Sequence, residues 1–263
     1  MLESKAEAQT SAPSPATPAK PPVEGHSARR IHRVAEHVGA RSYLEIGVFN
    51  GKTFNGVNLP NKVGVDPRFA FDIEPHKRDG VRFVSLTSDA FFSGMKSPEH
   101  FDIIFLDGLH TFQQTFRDFC NSLICSHDRT VWLIDDVFPS DVYSAWPVAS
   151  EARQFRKLSG SDSPAWNGDV YKLLFAIHDF FPVLSFVSFS NRGNRQTLLW
   201  KTPRQTFTPI LGSLERIERL GYFELMKSQQ VFNFKPEDEA FAEFFSSMNG
   251  KFTVPDVPET TSP

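Results

Sequence analysis

The sequence predicts a doubly wound α/β fold, with a mostly parallel sheet of seven strands and a C-terminal helical appendage. Three observations carry that expectation. Strand-like runs alternate with helical patterns from residue 27 to residue 181. Two of the runs, FDIIFLD and TVWLIDD, are continuously apolar and end in acid. Strands covered by helices on both faces read that way, because neither face meets water. Near the end, two β runs flank Asn191–Asn194 (NRGN), a composition that favours a tight antiparallel return.

Taken in order, residues 1–25 are rich in Ala, Pro, Ser, Thr and Lys. They hold too few apolar groups to offset the entropy of ordering, so a disordered tail is expected. A helix follows over about 27–39, opening on Arg29, Arg30 and Arg33, which read as a solvated basic face. Five strand-like runs come next: Ser42–Ile46, Lys62–Asp66, Arg82–Ser85, Phe101–Asp107 and Thr130–Asp136. Between the last two, Phe112, Phe116, Phe119, Cys120, Leu123 and Ile124 keep helical spacing. A further helix carries Val170, Leu173, Leu174, Ile177, Phe180 and Phe181 and stops at Pro182. Then come the β runs Val183–Ser190 and Gln196–Lys201. Helical patterns near 210–222 and 236–248 complete the chain, the second entered at Pro236 with acids in its first turn. The expected division is a tail (1–25), a main domain (26–205) and a helical extension (206–263).

Composition narrows the function. The formal charge of −3 lacks the basic excess of a general polyanion binder, so no nucleic-acid partner is expected. No run of 18 apolar residues suggests a membrane span, and no basic start with an apolar core suggests a secretory signal. A reducing cytoplasm is the default compartment. Cys120 and Cys125, five residues apart, fall on different faces of a helix, which disfavours a mutual disulfide.

Four groups of residues point to chemistry. The first is Glu45-Ile-Gly47-Val48-Phe49-Asn-Gly51, directly after a predicted strand. Glycines there let the backbone turn sharply and approach a ligand. The spacing is not the G-x-G-x-x-G of a pyrophosphate cradle. Glu45 would repel a pyrophosphate but suits a ligand bearing an ammonium or sulfonium. The second is Asp66, which closes the next strand, 21 residues after Glu45. An acid at that strand end accepts hydrogen bonds from a ribose diol in this fold, or opens a turn before Pro67. Ser88 and Asp89, past the third strand, stand where an adenine edge would be met; Asp89 is alternatively a helix N-cap.

The third group is Asp107 with Asp135 and Asp136, at the ends of the fourth and fifth strands. Neighbouring strands lie about 4.8 Å apart. Clustered carboxylates repel unless a cation or a proton lies between them. Hard oxygen ligands favour Mg²⁺, Ca²⁺ or Mn²⁺. The fourth is His110, three residues after Asp107. An imidazole titrates near neutrality and can take a proton from an acceptor. The stretch Trp166-Asn-Gly-Asp-Val-Tyr171-Lys172, after the long loop that follows the fifth strand, either lines the acceptor pocket or packs Trp166 and Tyr171 as core aromatics; His178 reads as a packed or surface residue.

The runs YLEIGVFNGKTF, VGVD, FDIIFLDGLHTF and LIDDV together resemble class I methyltransferases dependent on S-adenosylmethionine (SAM). The likeness is to the branch that methylates small-molecule hydroxyls of sugars, phenols and natural products. It covers residues 40–140 well and 165–201 loosely. Phe49 stands where many members have a glycine. The resemblance implies that Glu45, Gly47, Val48, Phe49 and Gly51 line the methionine end of SAM, and that Asp66 binds its ribose. It also implies that Ser88 and Asp89 meet the adenine and that Asp107 borders the donor. In the metal-dependent members, acids at the two strand ends hold a divalent cation such as Mg²⁺; here they would be Asp107, Asp135 and Asp136. His110 and Asp107 would then be the catalytic pair. The rival expectations are a metal-independent N- or C-methyltransferase and a non-catalytic SAM-binding module. The C-terminal helices either cover the pocket or pack on a second subunit of a homo-oligomer.

Overall fold

A computed structural model describes residues 25–191 and 195–249. The expected 1–25 tail and the Asn191–Asn194 turn lie largely outside them. The elements run α1 (His26–Val38), β1 (Ser42–Ile46), α2 (Lys52–Gly56), β2 (Asn61–Val65), β3 (Val81–Val84), α3 (Ser88–Ser93), β4 (Phe101–Leu106), α4 (Phe112–Ser122) and β5 (Ser126–Ile134). They continue through α5 (Ala149–Leu158), α6 (Tyr171–Phe180), β6 (Ser185–Phe189), β7 (Thr197–Trp200), α7 (Leu214–Glu218), α8 (Tyr222–Lys227), β8 (Phe234–Lys235) and α9 (Glu237–Asn249).

One sheet holds all the strands in the order β3-β2-β1-β4-β5-β7-β6-β8. The first five are parallel. β7 runs antiparallel to both β5 and β6, as the paired C-terminal β runs suggested. The sheet has eight strands, where seven were expected. The eighth, β8, pairs parallel with β6 through two residues, too short for any alternation to show in sequence.

Successive strand residues point to opposite faces. Leu44, Ile104 and Trp132 enter one core layer beneath α4 and α6, with Phe119 and Leu174. Tyr43, Ile103 and Val131 enter the other, beneath α1 and α9, with Ile31, Phe241 and Phe244. Both faces are dry, which is why the central strands carry apolar runs without alternation.

The basic cluster of α1 is not a solvated face. Arg30 is 1% exposed and lies 4.1 Å above the Phe189 ring. Its guanidinium pairs with Glu237 at 2.9 Å, Arg29 also bonds Glu237, and Arg33 pairs with Asp238 at 2.7 Å. The acids in the first turn of α9 thus dock on α1. The 210–222 pattern resolves into two short helices, α7 and α8, separated at Leu220–Gly221. Helix α5 carried no sequence expectation. Cys120 and Cys125 are both free thiols. No helix among the described residues is long and apolar enough to cross a membrane.

Candidate active site

A cleft of about 1030 Å³ opens at the carboxyl ends of β1, β2, β4 and β5. Glu45, Gly47, Val48, Phe49, Asp66 and Ser88 line it, as do Asp89, Asp107, His110, Asp135 and Asp136. The fold therefore brings nearly all the sequence candidates to one place. The exception is Gly51, which does not line the cleft. It takes φ 72° at the start of α2, and a Cβ there would stand 2.6 Å from the Phe71 ring. Its role is to turn the chain.

Gly47 is held by close approach. Its φ is 89°, and a Cβ would lie 2.0 Å from the Asp107 carbonyl oxygen. The β1 and β4 loops can meet only with hydrogen at that position. Phe49 adopts φ 45° and leaves its ring 65% exposed at the rim. Asp66 ties the loop from β2: its Oδ2 accepts from the Val48 and Phe49 amides at 3.0 and 2.8 Å, and its Oδ1 from Arg68 at 2.7 Å. Much of this carboxylate is thus committed to shaping the glycine loop. The helix N-cap past β3 is Thr87, whose hydroxyl accepts from Ala90, and not Asp89. Asp89 and Ser88 instead receive the Gln114 amide at 3.1 Å each, so this wall of the cleft is polar.

The floor is a nest of acids. Glu45 is 1% exposed and accepts the Tyr43 hydroxyl at 2.5 Å. Burial holds its carboxyl well above the usual range; the Tyr43 bond opposes this, and Asp107 adds to it. Burial, then the charges of Asp107 and Asp136, do the same to Asp135. Asp107 is pushed up to about 6 by burial, against a His110 hydrogen bond that works the other way. His110 moves to about 9: burial pulls it down, but the bond to Asp107 and the charges of Asp136, Asp107 and Asp135 outweigh it. A buried nest of this kind attracts positive charge.

The ligand set expected for a metal changes in one member. Donor atoms of Asp107, His110 and Asp136 lie within 4.8 Å of one another. Asp135 is not in that group. Its Oδ1 turns back to accept the Asp136 amide at 2.8 Å, and Gln196 also hydrogen-bonds its carboxylate. The reason is local: Asp136 takes φ 55°, which reverses the backbone after β5 and sends consecutive side chains to different sides. His110 Nδ1 lies 3.2 Å from Asp136 Oδ2, yet off the hydrogen-bond angle, so this buried nitrogen has no hydrogen-bond partner among the described residues. Two carboxylates and an imidazole whose donors one ion with bonds of about 2.0–2.5 Å could bridge fit a divalent cation.

Two side chains support this corner: Asn167, within the stretch expected to line the pocket, and Gln196, which nothing in the sequence marked. Asn167 Nδ2 donates to Asp136 Oδ1 at 2.6 Å. Gln196 stands behind Asp135. The Asn167-Gly168 pair signals a turn, and Gly168 does adopt φ 62°, packed where a Cβ would lie 1.7 Å from the His110 carbonyl. Trp166, in the same turn, lines the cleft and stacks on His110 with centroids 4.9 Å apart. Tyr171 is core: it is 2% exposed and donates to the Leu220 carbonyl. His178 pairs with Asp179 at 2.7 Å, away from the cleft.

A parallel sheet ordered 3-2-1-4-5, a glycine turn fronted by an acid, and acids at three further strand ends are the arrangement that the resemblance to class I methyltransferases implied. Residues 23–137 match the family model described as a methyltransferase domain. No curated protein matches the chain. Similar solved structures include the O-methyltransferase TomG from Streptomyces achromogenes, involved in tomaymycin synthesis and solved with SAM (20% identity, 69% of this chain and 83% of that one, TM-score 0.44). An O-methyltransferase from Bacillus cereus, in complex with S-adenosylhomocysteine (SAH), is 18% identical over 68% of this chain and 82% of that one, with a TM-score of 0.41. The SAH-bound methyltransferase PaMTH1 of Podospora anserina is 13% identical over 65% and 76%, with a TM-score of 0.46.

Proposed function

We propose that the domain moves the methyl group of SAM to a hydroxyl of a small acceptor, with Asp107, His110 and Asp136 as the reacting corner. The observation that carries this is the convergence of those three side chains, donors within 4.8 Å, beside the buried acid Glu45 in one cleft. When bound, SAM supplies a methyl made electrophilic by its sulfonium. Glu45 and Asp107 offer negative charge to its cationic end. Gly47 lets the backbone come close, and Val48 and Phe49 wall the methionine arm. Asp66 retains acceptor capacity on Oδ1 for a ribose hydroxyl, while Ser88 and Asp89 border the base. Alignment of donor and nucleophile alone can contribute several orders of magnitude.

A divalent cation held by Asp107 and Asp136, with His110 beside them, would act as a Lewis acid on the acceptor oxygen. His110 takes the hydroxyl proton from its neutral form. Trp166 fixes the imidazole plane by stacking, and Asn167 fixes the Asp136 carboxylate. Asp135 supports this corner from behind.

The test is Asp136→Ala, assayed beside SAH calorimetry. Turnover of a hydroxyl-bearing acceptor panel should fall at least about 100-fold while SAH affinity stays within about threefold. Excess EDTA should abolish activity, and added Mg²⁺ or Mn²⁺ should restore it. Full activity in EDTA would remove the cation; absence of SAH binding by the wild-type protein would remove the function.

A further inference from the structure

Beside Asp135, a buried polar chain runs from the Ser27 edge of the cleft to the start of α9. Glu237, at the start of α9, is 9% exposed and accepts from Arg30 Nε at 3.0 Å. Arg30 Nη1 donates to Gln196 Oε1 at 2.8 Å. Gln196 is 0% exposed; its Nε2 donates to the Ser27 hydroxyl at 2.8 Å, and its side chain also hydrogen-bonds the Asp135 carboxylate. Nothing in the domain's donor-binding or proton-transfer chemistry calls for this chain.

The amide of a glutamine can present either its oxygen or its nitrogen to a neighbour. Here that choice is made by Arg30. A guanidinium only donates, so the amide oxygen must face it. The NH₂ group is then left for Ser27 and Asp135. A donor, and not an acceptor, is therefore aimed at Asp135, the β5 acid that lies outside the Asp107–His110–Asp136 group. Asp135 accepts from both Gln196 and the Asp136 amide. Those two bonds fix the carboxylate at the point where the backbone reverses into Asp136 at φ 55°.

We propose that Gln196, oriented by Arg30, is a positioning residue that holds Asp135 and, through the Asp135–Asp136 turn, sets the geometry of the Asp136 carboxylate. The inference rests on the methyl-transfer reading of the cleft. Its consequence is that the docking of α9 on α1, through Glu237 and Arg30, is coupled to the reacting corner.

The decisive variant is Gln196→Glu. It keeps the size of the side chain and gives Arg30 a second ionic partner beside Glu237, so the fold is retained. It also turns an acceptor toward Asp135. The result expected is a kcat lower by about tenfold or more, with SAH affinity within about threefold and Tm within a few degrees of wild type. Gln196→Met, which removes the bond without adding repulsion, should show a smaller kcat loss in the same sense. Arg33→Ala, which breaks the peripheral pair with Asp238 and the stacking on Phe241 but leaves the Arg30–Gln196 bond in place, should leave kcat unchanged. An unchanged kcat in Gln196→Glu overturns the inference. So does a kcat loss matched by equal losses of SAH affinity and Tm, which would mark general loosening. Wild-type protein that neither binds SAH nor turns over would instead sink the methyl-transfer reading itself, an outcome these variants do not mimic.

Discussion

At the level of single residues, the site depends on backbone positions that few side chains could occupy. Gly47 tolerates no Cβ, and Asp136 holds a left-handed conformation that normally costs about 1–3 kcal/mol. Both stand where the strand ends must bend to bring acids together. The electrostatic consequence is measurable in metal-free protein. His110 is raised from 6.5 to about 9, so its contribution to stability is complete below about pH 6.5 and is lost as pH rises through 9. Asp107 is raised from 3.8 to about 6, so the folded state binds the extra proton and stability again falls as pH rises through that window. The two shifts share a sign. The Tm of metal-free protein should therefore decline from pH 5 to pH 9.5, and His110→Asn should flatten the part above pH 6.5. A wild-type Tm that rises over that upper range would contradict the arrangement.

At the level of elements, the segment between β5 and α6 delivers Trp166 and Asn167 to the cleft without regular structure of its own after α5. Arg156, near the C-terminus of α5, staples it. Its side chain is 3% exposed, bonds both Asp141 oxygens at 2.7 and 3.0 Å, and donates to the carbonyls of Ser163 and Ala165. The Trp166 indole N–H adds a bond to the Trp146 carbonyl at 2.7 Å. Arg156→Leu removes those bonds and leaves their partly exposed acceptors to water, and should cost about 1–2 kcal/mol. Because the staple lies outside the donor half of the cleft, SAH affinity should survive while turnover falls. Limited proteolysis should show new cleavage between residues 159 and 166. Protection equal to wild type would mean that another contact holds the loop.

At the level of the whole molecule, the C-terminal segment is part of the sheet's cover. β8 extends the sheet beside β6, and Phe241, Phe244 and Met248 of α9 are all 0% exposed against it. Burying each such side chain is worth about 1.5–3 kcal/mol. Three of them rival the roughly 5–15 kcal/mol that separates a folded domain from its unfolded chain. A chain ending at Lys235 should therefore lose its cooperative melt, as circular dichroism would show. A sharp wild-type-like transition would instead make α9 a dispensable appendage.

The linear pattern was enough for the strands β1 to β7, the antiparallel pair, the glycine turn and the acids at the strand ends. Those features are written locally: apolar runs of strand length, a glycine where the backbone must invert, an acid where a strand meets solvent. Arg30 defeated the same logic, since its partner Glu237 is 207 residues away and no local period announces an ion pair across the fold. Asp135 and Asp136 are adjacent and chemically alike. Only the left-handed turn at Asp136 separates one into the reacting corner and the other into the supporting network. Trp166 and Asn167 joined the site because a long connection folds back over it. Periodicity tells which face of an element is buried. Which element covers that face, and which of two equal acids reaches the cleft, depends on packing between segments distant in the chain.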